Sequence, residues 1–327
     1  MDESRAMPSI DVRDLGTVGD GLQRPECVLA TASGDLFASN WRGGVSRIRP
    51  DGTHHQLLAT DGSWLRPNGI ALRRTGTFLL AHLGDDEGGV FELSPDGGLR
   101  PFLTEVDGVP LPPTNFVAED HAGRVWVTVS TRLRPRAAAY RPDVTDGFVV
   151  LVDDRGARIV ADGLCYTNEA VVRPDGSWLY VNETFGRRLA RFPILDQGEL
   201  GPASTVTEFG SGTFPDGLVF DEDGGAWVTS IISNRVIRVD PSGSTTTVIE
   251  DADPEHLAWV EAAFGSGGLD RPHLDTVVSS RLANISSLCF GGPDRRTGYL
   301  GCLLGQSITT FRSPVAGAVP SHWAVRV

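Results

Sequence analysis

Short apolar runs recur along this chain, each broken by a turn rich in glycine. One of them, Phe214-Pro215-Asp216-Gly217-Leu218-Val219-Phe220, is interrupted by an acidic residue, and Gly224 follows that residue at an interval of eight before Ala226-Trp227-Val228 resumes the apolar pattern. The same interval separates Glu26 from Gly34, Asn68 from Gly76, Asn115 from Gly123, Asn168 from Gly176 and Asn284 from Gly292. Each run is strand-length and is bounded by turn residues, so the pattern predicts β-strands joined by tight turns.

The first copy continues through Leu36-Phe37-Ala38-Ser39, Val45-Ser46-Arg47-Ile48 and Gln56-Leu57-Leu58, with a Pro50-Asp51-Gly52 turn before the last. Four antiparallel strands in about forty residues is the size of one propeller blade. Six copies predict an all-β, six-bladed β-propeller with four-stranded antiparallel blades, in a single domain over residues 1–327. Residues 9–18 alternate as a strand and are expected to close the ring against the C-terminal segment.

Two stretches break the repeat. Residues 131–146 carry Arg132, Arg134, Arg136 and Arg141, and residues 250–281 contain a helical pattern at 254–264. Asp253 suits the N-cap, Pro254 the first turn and Gly265 the end, with Leu257, Val260 and Phe264 on one face. Both stretches are expected to form a lid, partly helical, over one end of the propeller.

Composition narrows the function. The formal charge is −13, and all 29 basic residues are arginine. An acidic chain without a basic block is a poor nucleic-acid binder. Without lysine there is no Schiff-base nucleophile and no P-loop. No Gly-x-Ser-x-Gly elbow is present, which argues against a serine hydrolase. The four cysteines are far apart in sequence with no Cys-x-x-Cys pair, so zinc-finger and thioredoxin readings fail. The acidic start Met1-Asp2-Glu3-Ser4 has no signal-peptide core and no run reaches membrane-span length, so a reduced, cytoplasmic protein is expected. A small-molecule partner is expected, with monomer and homodimer both compatible.

In a propeller the first strand of each blade lines the central channel. The repeat therefore places Glu26, Asn68, Asn115, Asn168, Asp216 and Asn284 at one level around it. Taken singly, an asparagine there is as readily a turn residue that satisfies nearby backbone. Taken as a set, two carboxylates and several amides form an oxygen-rich ring suited to a divalent cation, calcium above all, with magnesium or zinc as alternatives. Asn68 and Asn284 could instead bond to metal-bound water.

The stretches Pro25-Glu26, Tyr166-Thr167-Asn168-Glu169-Ala170, Pro174-Asp175-Gly176-Ser177-Trp178-Leu179-Tyr180-Val181, Pro215-Asp216-Gly217-Leu218 and Phe290-Gly291-Gly292-Pro293-Asp294 resemble the regucalcin/gluconolactonase family. The resemblance covers nearly the whole chain. It implies a catalytic cation held by Glu26, Asn168 and Asp216, with Asn115 added as in related lactonase propellers. It further implies a metal-dependent lactonase in which Asp216 acts as base for a metal-activated water or attacks directly. Family sugar lactonases carry an arginine and an aspartate around the third-blade asparagine, where this chain has Pro113 and Phe116. That departure points away from a gluconolactone and toward a lactone with an apolar or aromatic part, met by Phe116, Tyr166 and Phe214. Arg24 and Arg66, together with the lid arginines, could bind a substrate carboxylate. His82 and His121 are proton-transfer candidates by residue type alone. The competing readings are phosphotriester hydrolysis on the same metal and a non-catalytic, metal-containing binding propeller.

Overall fold

The computed structural model describes residues 7–327, and it is a six-bladed propeller of four-stranded antiparallel sheets. The tetrad at residues 1–4 lies outside the described residues. Blade one pairs Val28–Ala30, Leu36–Asn40, Gly44–Ile48 and His54–Leu58 in chain order. Blades two to five repeat that order from inner strands Pro67–Leu72, Thr114–Glu119, Thr167–Val172 and Phe214–Phe220.

Blade six is composite. Its inner three strands are Ile285–Gly291, Thr297–Cys302 and Ile308–Arg312, and its outer strand is Gly16–Val18 from the other end of the chain. Gly16 faces Thr310 and Val18 faces Ile308, so the ring is closed by a ladder of backbone hydrogen bonds. Of the expected 9–18 strand, only this last part is extended sheet, and Val12–Asp14 is a 3-10 turn.

Each blade has a neighbour on both faces, so second strands are buried on both faces instead of alternating. Val125–Val129 and Ala226–Ile231 are buried at every position. Beside them sits a repeated polar device. Asp120 accepts from Trp126 Nε1 at 2.9 Å and Arg124 Nε at 2.7 Å, and Asp221 accepts from Trp227 Nε1 at 2.8 Å and Arg238 Nε at 2.6 Å. In both blades one buried carboxylate anchors the indole N–H that would otherwise be left unpaired.

The glycine interval has a geometric cause. In blades one to five the glycine is the fourth residue of the turn after the inner strand, with φ of 86, 85, 82, 76 and 81°. A left-handed backbone is required there, and glycine adopts it without a Cβ clash. In blade six the inner strand last pairs at Gly291↔Thr297, so the fourth position is Arg295, at φ 53°, and Gly292 is only the first. The blade-six frame therefore moves by three residues, and the position equivalent to Glu26 or Asp216 is Ser287. The expected Asn284 is three residues too early.

Both insertions come together at one end of the propeller. Residues 131–146 contain the short turn Arg136–Ala139, and the second insertion forms α1 (Pro254–Ser266) and α2 (Arg271–Asp275). Asp253 caps α1 by accepting from His256 N at 2.7 Å. The helix runs past Gly265 and stops at Gly267, which takes the left-handed conformation (φ 73°). Leu257, Val260 and Phe264 pack with Tyr140, Tyr166, Phe185 and Phe214 in one cluster, which makes the two insertions a closed cover. Among the described residues, no helix is long and apolar enough to cross a membrane.

Candidate active site

Four of the inner strands carry a bulge at the ring residue. The register shifts between Pro67 and Ile70, Thr114 and Phe116, Thr167 and Ala170, and Pro215 and Leu218. Asn68, Asn115, Asn168 and Asp216 lie inside those irregularities. A bulge re-aims a side chain that regular pleating would direct into a neighbouring sheet. Arg24 and Tyr166, two residues ahead of Glu26 and Asn168, adopt left-handed backbone at φ 52° and 55°. Such conformations persist where packing enforces them and gather at functional sites.

The structure brings Asn68, Asn115 and Asn168 into one hydrogen-bonded chain. Asn68 Nδ2 donates to Asn115 Oδ1 at 3.1 Å, and Asn115 Nδ2 donates to Asn168 Oδ1 at 2.6 Å. Asn168 Nδ2 donates to Thr184 Oγ1 at 3.0 Å, and Thr184 passes the chain to the Pro215 carbonyl at 2.9 Å. That last step links the amides to the residue before Asp216. All of these side chains are buried.

The carboxylates complete the ring. Arg24 binds Glu26 at 3.1 Å while its guanidinium lies 4.1 Å from the centroid of Trp41. Burial, and then the Glu26 charge, push the Asp216 carboxyl well above the usual carboxylate range, while Arg24, a hydrogen bond from Asn168, and Arg136 oppose that shift. Two acids buried within reach of each other's field are costly unless a positive charge joins them.

Several expected contacts fall elsewhere. Asn284 Oδ1 accepts from Ile232 N at 2.7 Å and its Nδ2 donates to the Leu274 carbonyl at 2.8 Å, so its amide ties α2 to the propeller away from the ring. Phe214 is completely buried, 4.5 Å from the Arg187 guanidinium and packed edge-on against Phe264. Tyr166 is wedged between Tyr140 and Phe185. Phe116 packs with Cys27, Ile70 and Leu72, further along the channel. Arg66 is forked onto Asp85. His82 accepts from Arg66 N at 3.0 Å, and burial lowers its pKa. His121 is exposed, 3.1 Å from the Val319 carbonyl.

Three participants were not anticipated: Thr184, Ser287 and Glu169. Glu169 Oε2 accepts from Leu218 N at 2.7 Å, and burial pushes its carboxyl well above the usual range. An acid beside Asn168 in an otherwise apolar strand was the available signal. Ser287 Oγ has no partner. Both line a channel cavity of about 160 Å³ that reaches from the inner strands to residues 318–322.

The donors fit a hard cation. Asn68 Oδ1 is buried with no partner, on a side chain whose Nδ2 bonds to Asn115. Among the described residues no group of three or more His, Cys, Asp or Glu forms a metal cluster, so a cation here would need amide as well as carboxylate oxygens.

Known proteins agree with this architecture. A 6-deoxy-6-sulfogluconolactonase of Pseudomonas putida is 30% identical over 185 residues, 55% of this chain and 60% of that one. The match thus spans less than two thirds of the relative's length. A gluconolactonase structure from Xanthomonas campestris superposes with a TM-score of 0.68 at 20% identity, covering 92% of this chain and 89% of the other. A calcium-binding regucalcin from Agrobacterium tumefaciens gives 0.67 at 18% identity, covering 95% and 97%. The SMP-30/gluconolactonase/LRE-like region model matches residues 24–267, and the chain belongs to that family.

Proposed function

We propose that this protein is a divalent-metal-dependent lactonase. The observation that supports the reading is the ring itself, in which Glu26, Asn115, Asn168 and Asp216 are all buried and the two amides are hydrogen-bonded to each other. These four residues would hold the cation, calcium by their hardness. When bound, the ion would polarise the lactone carbonyl and make a coordinated water more acidic. Asp216 would take the proton from the attacking water. Thr184 and Asn68 hold the amides in orientation. The lid of α1, α2 and residues 131–146 excludes bulk water and must open for exchange.

The named activities of the two lactonase relatives support lactone opening, and the regucalcin likeness supports calcium. A panel of aliphatic, aromatic and sugar lactones, assayed with calcium on wild type and Asp216→Ala, tests the proposal. Opening of at least one lactone, reduced by two orders of magnitude or more in the variant, is expected. Full-rate opening by Asp216→Ala would refute the role of Asp216.

A further inference from the structure

The lid arginines are not equivalent. Arg132 forks onto Asp162 at 2.8 and 2.9 Å, and Arg141 forks onto Asp143 at 2.5 Å. Both charges are answered at the surface. Arg136 is different, because it reaches inward from the turn Arg136–Ala139 to the ring. Its Nη2 donates to Asn115 Oδ1 at 3.3 Å and to Ser130 Oγ at 3.2 Å, both neutral acceptors. Its guanidinium lies 5.5 Å from the centroid of Tyr166. Its Nε is buried without any partner, and no carboxylate among the described residues forms a salt bridge with it.

The charge balance at the ring makes this position informative. The Arg24 guanidinium is paired with Glu26, whereas Arg136 approaches the ring with no carboxylate of its own. A divalent cation adds two positive charges under a lid that excludes water, where uncompensated charge is costly. A negative charge to answer Arg136 would arrive with the ligand.

We infer that the substrate is a lactone carrying an oxyanion, carboxylate or sulfonate, which Arg136 receives on its free guanidinium edge while the ring carbonyl faces Glu26, Asn115, Asn168 and Asp216. This rests on the lactonase reading and adds the substrate class to it. A guanidinium suits the purpose because its planar fork donates two parallel hydrogen bonds to such a group. Stacking on Tyr166 holds the fork in place before the ligand arrives.

Equilibrium binding separates this inference from the hydrolytic reading. Tetrahydrofuran-2-carboxylate, the corresponding sulfonate and the uncharged carboxamide mimic the ring but cannot be opened. Calorimetric titration of each into calcium-loaded and chelated wild type, Arg136→Met and Arg136→Lys gives the oxyanion-to-carboxamide affinity ratio. A ratio of about ten or more is expected for loaded wild type, falling toward one in Arg136→Met and partly restored in Arg136→Lys. The carboxylate and sulfonate arms show which oxyanion the fork prefers. A ratio near one in wild type, or an equal loss for charged and uncharged ligands in Arg136→Met, would overturn the inference and leave Arg136 as a support for Asn115. An oxyanion preference in a protein that opens no lactone would instead overturn the hydrolytic reading alone.

Discussion

Asn115 Nδ2 donates to Asn168 Oδ1 at 2.6 Å across 53 residues of sequence, joining the inner strands of blades three and four at the level of the ring. Neither amide is solvent-exposed, so each depends on the other and on Thr184 for satisfaction. The polar ring is thus a structural girdle, and under the proposed function changes to it would alter cation binding and stability together.

Asn168→Ala leaves the Asn115 amide and the Thr184 hydroxyl without their partner. A loss of about 1–3 kcal/mol is expected in denaturant unfolding, accompanied by weaker calcium binding. Unchanged stability would show that the chain of amides carries no load in the fold.

Asp216→Asn should act in the opposite direction on the chelated protein. It removes one of two like charges from a buried site, so the metal-free variant is expected to melt higher than metal-free wild type. The gain from adding calcium should disappear in the same variant. Thermal unfolding with and without chelator measures both effects.

How far the sequence foretold this arrangement depends on what enforces each feature. Five blades were legible because one backbone position in each turn demands a left-handed residue, and glycine marks it at Gly34, Gly76, Gly123, Gly176 and Gly224. Blade six misled because Arg295 adopts that conformation and a glycine happens to stand three residues earlier, which promoted Asn284 over Ser287. The lid helix was legible from Asp253 and Pro254, but the choice between Gly265 and Gly267 depended on backbone geometry. Burial of Phe214 and Tyr166 under that lid is a tertiary outcome, as is the difference between Arg136 and its neighbours. Spacing along a chain does not encode which arginine finds a carboxylate.

Asp221→Ala tests the repeated carboxylate–indole anchor. It would strand Trp227 Nε1 and the Arg238 guanidinium in the interior, with an expected loss of about 3–5 kcal/mol. Chemical denaturation of the variant measures this directly.

The lid is fastened by Arg187, which forks onto Glu261 at 2.5 and 3.1 Å, while Glu261 also accepts from Gly212 N at 2.9 Å. Glu261→Gln weakens that fastening without changing size. Limited proteolysis within residues 250–281 should become several-fold faster, because cleavage follows the population of the open form. An unchanged cleavage rate would place the fastening elsewhere in the aromatic cluster.

His322, which lines the channel cavity with Nε2 unpartnered, gives the pH dependence a definite sign. Burial lowers its pKa from 6.5 to about 4. Between those values the unfolded chain binds a proton that the folded chain does not, so stability is intact above pH 6.5 and declines as pH falls toward about 4. His322→Gln should flatten that part of the stability curve, read from unfolding midpoints across the range.

The central claim is that Glu26, Asn115, Asn168 and Asp216 hold one divalent cation. Calorimetric titration of calcium into chelated wild type and the Glu26→Gln/Asp216→Asn double variant tests it most directly. The account predicts one saturable site per chain in wild type and none at that affinity in the double variant. Equal calcium binding by both proteins would contradict it.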